Sequence, residues 1–418
     1  MSSVHSFAST TTDRTIHDLL RNVFSYAEAE HRPDEIPIKT DWQELATSLS
    51  PSLEEQSSDE DDTPPSTASA GDVFGDEFCR SYGQFSRTSH MGILDPSYEV
   101  FKSQHGHGAL IYKIKNRTLV VAGDPLCPPE YFQSLLAELR QFRRTRGLRV
   151  AFMNVSETFA RFGRAQGWDV FKFGRERVLN PLTNQVLLRK GGAGKRIISR
   201  NRFLLDPKRG GLTVGIYAPG VTGVETERES ELQRLYDEWR EDRDKNPRAQ
   251  AFVTKYDIFS HPDITLFLYA QGQDGTIKGF AGLRSLCAHG GFQIDPCVAS
   301  RSAPGGTTDM LVVAAMTLLR RSGISYLSLG YEPSRDLEGV SGQKRVWAGL
   351  ARSGYGRVMQ SIPLSGKKQY NDKFRPDEEL SSDVYVVLPS KSFLLPVQQA
   401  VAVMHVANIQ IRRLLPLR

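Results

Sequence analysis

The stretch that decides the fold is APGGTTDMLVVAAMTLLRRSGISYLSLG, residues 303–330, which predicts a loop, a helix and a buried strand in succession. The helix is expected to begin at Thr307 or Thr308, because a hydroxyl there caps free backbone N–H groups. Asp309 then falls in the first turn, where a carboxylate suits the helix dipole. Helix starts beside strand ends bind ligands in α/β proteins. The stretch therefore predicts an α/β fold in which Asp309 is either a functional residue or simply a favourable helix-start residue.

The elements around this stretch are expected to follow one order twice. Apolar runs at 109–114 and 118–122 predict a hairpin, and a helix is predicted over 130–146. A strand, a helix and a strand follow, which completes the β-β-α-β-α-β order of a GNAT-type acyltransferase half. The second half has elements predicted over residues 225–241, 264–270, 277–285, 303–330 and 343–354. We therefore predict an α/β protein with tandem GNAT-like acyltransferase folds.

Composition and charge divide the chain into five predicted segments. Residues 41–62 carry eight acidic residues and no basic one, and the Ser- and Pro-rich run after them is too polar to fold alone. The segments are a largely disordered acidic tail (1–70), a first GNAT-like domain (71–186), a basic connecting segment (187–210), a second GNAT-like domain (211–390) and a C-terminal helix (391–418). That last helix contains a long run without formal charge, which predicts that it lies on a membrane surface or docks on the protein body.

The overall composition, 39% apolar and 24% charged, is that of a soluble globular protein. Four cysteines show neither a CxxC pair nor a zinc spacing, so no metal site is predicted. The N-terminus lacks the apolar region of a secretory signal peptide. We expect a cytoplasmic protein that is peripheral on a membrane.

A basic excess points to a polyanionic partner, either RNA or an acidic membrane. Residues 140–209 carry eighteen Lys or Arg against four Asp or Glu, over a region that otherwise has the pattern of a folded one. Within it, GGAGKR at 191–196 lacks the spacing of a phosphate-binding Walker loop, so nucleotide hydrolysis is not predicted. The helix predicted after these glycines is suited to an RNA backbone, although each basic residue alone also fits a role in surface solubility. Its basic residues are Lys195, Arg196, Arg200 and Arg202.

Six sequence elements together resemble the C-terminal catalytic domain of bacterial phosphatidylglycerol lysyltransferases, a family of tRNA-dependent lipid-aminoacylating enzymes. They are VAGDP (121–125), FKFGR (171–175), the basic element 194–202, residues 308–311, LSLGY (327–331) and KKQYNDKFRP (367–376). The resemblance implies a tandem GNAT-like fold. It also implies transfer of an aminoacyl group from the 3′ end of a charged tRNA to a lipid hydroxyl. Such an ester is already activated, so no ATP, metal or other cofactor is expected.

This reaction assigns candidate roles to residues throughout the chain. Asp309 is expected either to accept the hydroxyl proton or to bind the aminoacyl ammonium. The catalytic candidates are Asp309, Lys367 and Lys368; the candidates for substrate binding are Gly123, Asp124, Tyr331 and Lys373; and those for tRNA are Arg175, Lys195, Arg196, Arg200 and Arg202. Asp124 precedes a proline and therefore equally fits a turn, and Tyr331 equally fits a packed aromatic residue.

One departure bears on the lipid. The family often has a basic residue three positions after the aspartate that matches Asp309, whereas this chain has Val312. The arrangement is more similar to the fungal branch, which esterifies the 3β-hydroxyl of ergosterol, and the freestanding members resemble the glycyl-transferring type. We therefore predict glycyl-tRNA as the donor and ergosterol as the acceptor. The alternatives are transfer to phosphatidylglycerol, a coenzyme A-dependent GNAT acetyltransferase, and a non-catalytic RNA- or membrane-binding protein.

Overall fold

The computed structural model describes residues 76–245, 256–341, 356, 364–389 and 395–408. The predicted acidic tail (1–70) and the helix predicted over 343–354 lie outside these ranges. The helices are α1 (Asp76–Phe85), α2 (Phe132–Thr145), α3 (Glu157–Ala165), α4 (Lys195–Leu205), α5 (Pro219–Thr222), α6 (Thr226–Asp244), α7 (Thr307–Arg321), α8 (Leu364–Asp372) and α9 (Leu395–Val406). The strands are β1 (Glu99–Lys102), β2 (Ala109–Lys115), β3 (Thr118–Ala122), β4 (Arg149–Val155), β5 (Asp169–Leu179), β6 (Thr213–Tyr217), β7 (Thr265–Gln271), β8 (Ile277–Leu286), β9 (Gly291–Ala299), β10 (Leu327–Ser341) and β11 (Ser382–Leu388).

These strands form one mixed sheet in the order β1-β2-β3-β4-β11-β5-β10-β9-β8-β7-β6. Neighbouring strands are antiparallel, apart from the parallel pairs β3–β4 and β9–β10. β11 comes after the second half in the chain but lies between β4 and β5 of the first half. The two halves therefore share hydrogen-bonded strands and a continuous sheet.

Helix α7 packs against the second half of the sheet and is buried on all sides over residues 310–319. Ser322 is the C-cap of the helix. The predicted threonine cap is wrong, because the N-cap is Gly306 and the Thr307 hydroxyl donates backward to the Pro304 carbonyl at 2.7 Å. Gly306 has φ +96°, and a Cβ there would lie 2.9 Å from Cγ of Arg200. The close approach of α4 therefore requires glycine at this position.

The first half of the sheet is covered on both faces. α2 and α3 pack on one face through an aromatic cluster that includes Phe152 and Phe159. α9 docks on the other face, where Ala402 and Val403 are buried against β3 and β4. Gln399 fixes this helix by donating a hydrogen bond to the Val150 carbonyl at 2.5 Å. The C-terminal helix thus docks on the protein body. Across the described parts of the chain, no helix combines the length and apolarity needed to cross a bilayer.

The two parallel strand pairs, β3–β4 and β9–β10, differ in length, and this difference determines where a cleft opens in the sheet. In the first half, β3 and β4 stay paired over five consecutive positions, from Thr118 to Ala122 on β3. In the second half, β10 pairs with β9 only at Leu327 and Ser328. Beyond these residues β9 continues along β8, while β10 continues along β5. A wedge therefore opens between β9 and β10 in the second half, and the corresponding position in the first half is closed.

Candidate active site

The wedge between β9 and β10 is bounded by Asp295 on β9 and Gly330 on β10. Gly330 has φ +78°, which a side chain rarely adopts, and its N–H donates to Ser328 Oγ at 3.1 Å. A Cβ at Gly330 would lie 3.6 Å from the Lys367 nitrogen. The Lys367 ammonium, which α8 supplies, thus lies in van der Waals range of the β10 backbone at Gly330.

The first polar group beside the wedge is an ion pair. Lys373, just after α8, places its ammonium 2.5 Å from Asp309 Oδ1 in the first turn of α7. The same ammonium lies 3.8 Å from the centroid of the Tyr370 ring and 5.1 Å from that of Phe374. Two aromatic rings and one carboxylate hold this cation, so the pair forms a fixed charged wall.

Cys297 of β9 connects this pair to the interior of the wedge. Its thiol donates a long hydrogen bond to the Thr308 carbonyl at 3.7 Å. Burial, followed by the negative charges of Asp309 and Asp295, raises the pKa of the Cys297 thiol to about 12. Since the thiol stays protonated near neutral pH, Cys297 is unsuited to nucleophilic catalysis.

A second polar group consists of Asp295, Tyr256 and Lys367. The Tyr256 hydroxyl donates to Asp295 Oδ2 at 2.9 Å. Burial raises the pKa of Asp295, and the positive charge of Lys367 opposes that rise. Burial also lowers the pKa of Lys367, despite the attraction of Asp295 and Glu332. Asp295 is nevertheless partly exposed and Lys367 is exposed, so both line a cleft that water reaches.

Tyr331 borders the same cleft on β10. Burial, followed by the charge of Glu176, raises its pKa well above the usual value, so the phenol remains protonated. Ser89 supplies a hydrogen bond to Tyr331, and a Cβ at Gly123 would lie 2.2 Å from Ser89 Oγ. Gly123 thus allows the segment that supports Tyr331 to approach the end of β3. Substrate binding by Gly123 and Tyr331 stays a prediction.

Asp124 has both carboxylate oxygens engaged within the first half. It accepts a hydrogen bond from Ser156 N at 2.8 Å and another from Ser156 Oγ at 2.5 Å. Its backbone carbonyl is bonded to His90 Nε2 at 2.9 Å. Because Ser156 is the N-cap of α3, Asp124 holds the start of that helix. Burial raises the pKa of Asp124, and the charge of Arg87, followed by the hydrogen bonds from Ser156, opposes the rise. A role in substrate binding stays a prediction.

Arg175 and Arg177 tie β5 to the segment around α8. Arg175 donates to Glu378 Oε2 at 2.6 Å and to the carbonyls of Glu378 and Ser381. Arg177 is nearly buried and bonds Glu378 at 2.9 Å and Asp372 at 3.1 Å. These contacts fix the helix that carries Lys367. Binding of tRNA by Arg175 stays a prediction, since the same guanidinium already has this structural partner.

The remaining tRNA candidates lie together on α4. Arg200 Nε donates to the Gly305 carbonyl at 2.6 Å, immediately before α7, and its guanidinium lies 4.8 Å from the Phe203 ring centroid. Phe203 is 37% exposed, and basic side chains beside an exposed ring are typical of surfaces for unpaired nucleic acid. The basic face of α4, which we define by its exposed residues Lys195, Arg196, Arg200 and Arg202, therefore reaches the start of α7.

Lys368 differs from its neighbour Lys367. Its side chain is 62% exposed and bonds Asp372 of the same helix at 2.9 Å. A catalytic role for Lys368 stays a prediction.

Sequence reasoning missed Asp295 and Tyr256. Asp295 stands in FQIDPCV, where apolar alternation indicates a strand but Pro296 interrupts it, and no local pattern marks Tyr256.

Comparison with known proteins identifies similar sequences. A family model described as phosphatidylglycerol lysyltransferase, C-terminal, matches residues 77–385. The phosphatidylglycerol lysyltransferase of Bacillus subtilis (strain 168) is 24% identical over 289 residues, which are 69% of this chain and 32% of that protein. The lysylphosphatidylglycerol biosynthesis bifunctional protein of Rhodococcus jostii (strain RHA1) is 25% identical over 234 residues, 56% of this chain and 20% of that protein. The chain thus spans a third or less of the length of these two relatives.

Two solved structures share the architecture. The C-terminal domain of a putative lysylphosphatidylglycerol synthetase from Agrobacterium fabrum aligns with a TM-score of 0.62 at 18% identity, over 81% of this chain and 97% of that one. The structure of L-PGS from Bacillus licheniformis aligns with a TM-score of 0.60 at 20% identity, over 79% of this chain and 97% of that one. At these identities the likeness shows the fold, and it confirms the predicted tandem GNAT-like α/β architecture.

Proposed function

Because the chain belongs to the family of phosphatidylglycerol lysyltransferase C-terminal domains, we propose that it is an aminoacyltransferase using aminoacyl-tRNA as donor and a lipid hydroxyl as acceptor. The family membership supports the reaction class. The polar side chains of the β9/β10 wedge support this wedge as the place where the reaction occurs. They are Asp295, Asp309, Lys367 and Lys373.

One observation carries the proposal. The basic face of α4 meets the start of α7 through the contact between Arg200 and Gly305, just before the helical turn that carries Asp309. A tRNA held by phosphate contacts along α4 would deliver its 3′ end toward the ion pair of Asp309 and Lys373. An RNA-binding surface that adjoins a polar wedge in an acyltransferase fold is the arrangement that transfer from a tRNA ester requires.

The proposed reaction needs no cofactor to activate the donor. An aminoacyl ester is already activated, so the protein must orient the acceptor hydroxyl, remove its proton and stabilise the tetrahedral oxyanion. Lys367 supplies positive charge inside the wedge. Asp309 and Lys373 form its outer wall, where Asp309 serves as the proton acceptor or as the partner of the aminoacyl ammonium. No ATP or metal takes part in the proposed transfer.

The proposed donor is glycyl-tRNA and the proposed acceptor is the 3β-hydroxyl of ergosterol at a membrane surface. A neutral acceptor is supported only by the resemblance to the fungal branch, since Val312 itself is fully buried in the core and does not line the wedge. The second candidate is aminoacylation of phosphatidylglycerol. The names of the relatives favour it, since both refer to lysyl transfer or lysylphosphatidylglycerol.

The test is reconstitution of the full chain with charged tRNAs and lipid vesicles. One vesicle set contains ergosterol in a neutral phospholipid, and a second contains phosphatidylglycerol without sterol. Mass spectrometry of the lipids is expected to show glycylated ergosterol, and ribonuclease treatment before addition should abolish it. Lysylated phosphatidylglycerol alone would establish the second candidate. Product that persists after the charged tRNA is destroyed would contradict the donor.

A further inference from the structure

Asp295 is a carboxylate inside the cleft and has no part in the roles proposed for Asp309, Lys367 and Lys373. Tyr256 donates to its Oδ2 at 2.9 Å, and the same hydroxyl lies 3.0 Å from the Met91 sulfur. Among the described residues, no hydrogen bond reaches the second carboxylate oxygen. Asp295 is part-exposed, so this oxygen belongs to a group that water or substrate is able to reach.

The charges around Asp295 favour its ionised form against the cost of burial. Lys367 acts on it most strongly, followed by the hydrogen bond from Tyr256 and then by more distant guanidinium groups. The ionisable groups that face it from the surrounding elements are Tyr236, Arg243, Tyr256, Arg284, Cys297 and Lys367. A carboxylate that is partly desolvated yet still charge-compensated is the kind of group that serves as a general base near neutral pH.

We propose that Asp295 is the catalytic base that removes the proton of the acceptor hydroxyl, with Tyr256 as the residue that positions it. This assignment rests on the proposed aminoacyl transfer. It also divides the work between the two aspartates. Asp309 already has a cationic partner at 2.5 Å in Lys373, so it is suited to extending an ionic contact to the aminoacyl ammonium.

The proposed step conserves atoms and charge. The acceptor hydroxyl oxygen attacks the carbonyl carbon of the aminoacyl ester while its proton passes to the free oxygen of Asp295. The resulting tetrahedral oxyanion lies beside the Lys367 ammonium. Collapse of this intermediate breaks the bond to the ribose oxygen, and the proton on Asp295 passes to that departing oxygen. The products are the aminoacylated lipid and the free tRNA, and Asp295 is a carboxylate again.

The first test compares D295N with the wild type in single-turnover assays with charged tRNA and lipid vesicles. Loss of a general base is expected to lower the rate constant of transfer by about 10²- to 10⁴-fold while tRNA affinity stays unchanged. D237N is the matched control, since Asp237 is an exposed aspartate on α6, and it should retain wild-type activity. A D295N rate within about threefold of an active wild type would overturn the proposal.

The second test uses the pH profile of Y256F. The base must be ionised, so the rate falls as pH drops through the pKa of Asp295. Because the hydrogen bond from Tyr256 lowers that pKa, its removal should move the acidic limb to higher pH. Y131F, which alters an exposed tyrosine at the start of α2, should leave the limb unchanged.

These outcomes distinguish a failure of the proposed aminoacyl transfer from a failure of the role assigned to Asp295. An inactive wild type with every charged tRNA and both lipids would refute the proposed function. An active wild type whose acidic limb is unmoved by Y256F, or moves to lower pH, would refute only the role of Asp295. If D295N does not fold, as judged by its thermal melt, the Y256F profile decides the question by itself.

Discussion

The Lys373 ammonium lies 2.5 Å from the Asp309 carboxylate and so joins the segment after α8 to the first turn of α7. Side chains from two elements that are more than sixty residues apart in the chain thereby form one wall of the wedge. Their partial exposure, 32% for Lys373 and 21% for Asp309, leaves the pair accessible to substrate.

Removal of the charge at Asp309 should abolish transfer without weakening tRNA binding. In D309N, the aminoacyl end loses a charged contact, and we expect the single-turnover rate to fall by about 100-fold or more. K373M should have a similar effect. Because the two residues act as a pair, the double variant should lose little beyond either single one. Fully additive losses in this double-mutant cycle would show that the two side chains act independently.

Charge reversal on α4 should weaken tRNA binding. Arg196 and Arg200 are four residues apart on one exposed helical face, and their replacement by Glu removes two phosphate contacts and adds repulsion. We expect at least tenfold weaker binding and a shallower salt dependence, by roughly 0.7–0.9 in slope for each lost contact. The matched control reverses Arg140 and Arg144, which have the same spacing on α2 and are also exposed. Equal losses from both pairs would indicate non-specific attraction to a basic protein.

The two adjacent lysines of α8 should differ in importance. Lys367 lies against Gly330 of β10 and interacts with Asp295, whereas Lys368 pairs with Asp372 on the helix surface. K367M is therefore expected to lower the transfer rate much more than K368M. K368M should fold, since an exposed ion pair of this spacing contributes only about 0.3–0.5 kcal/mol, and a thermal melt checks that K367M folds as well. A larger loss in K368M would reverse the assignment.

Loss of Arg177 should destabilise the support of the site. This nearly buried guanidinium contacts Asp372 and Glu378, and its Nε lies 3.6 Å from Glu332. R177M leaves these carboxylates without their shared cation. Since Asp372 and Glu378 are substantially exposed, we expect a loss of about 2 kcal/mol, which is below the range for a fully buried pair. Urea unfolding measures the loss, and R164M, which removes the half-buried partner of the exposed Glu157, is the comparison.

The α7 region was predictable because its signals are local. Helical periodicity, a glycine-rich start and a bulky strand after Ser322 all lie within residues 303–330. The cap was mispredicted because the close approach of Arg200 to Gly306 depends on a helix about a hundred residues earlier. The identity of the N-cap residue was therefore determined by a tertiary contact, whereas local sequence propensity favours threonine.

Neither the order of strands in the sheet nor the contact between Asp295 and Tyr256 could be predicted from short stretches of sequence. β11 inserts between β4 and β5, and a pairing between such distant segments leaves no periodic signal in the sequence. The contact between Asp295 and Tyr256 was equally unpredictable, because a lone acidic residue beside a proline in one segment gives no indication of a tyrosine in another. Asp309 was singled out by its position at a predicted helix start and Lys373 through the resemblance, but only the structure shows them as partners.

The buried His90 should make folding stability depend on pH. Its Nδ1 accepts a hydrogen bond from Arg87 N at 2.8 Å, and its Nε2 therefore donates to the Asp124 carbonyl at 2.9 Å. Burial, reinforced by the charges of Arg284 and Arg87, lowers the pKa of His90 to about 3. The unfolded chain, with a histidine pKa of about 6.5, binds the proton first on acidification. The stability contributed by neutral His90 is thus complete above that value and lost as pH falls toward 3.

This dependence is measurable in urea unfolding at about pH 7.5 and about pH 5.5. Linkage predicts that His90 contributes a loss approaching 1.4 kcal/mol per pH unit below about pH 6.5. H90Q should be less stable at both pH values, because the Arg87 N–H loses its acceptor, but its stability should depend less on pH. H105Q is the control, as the His105 side chain is 70% exposed. An H90Q protein with the wild-type pH dependence would show that His90 is not the group that titrates.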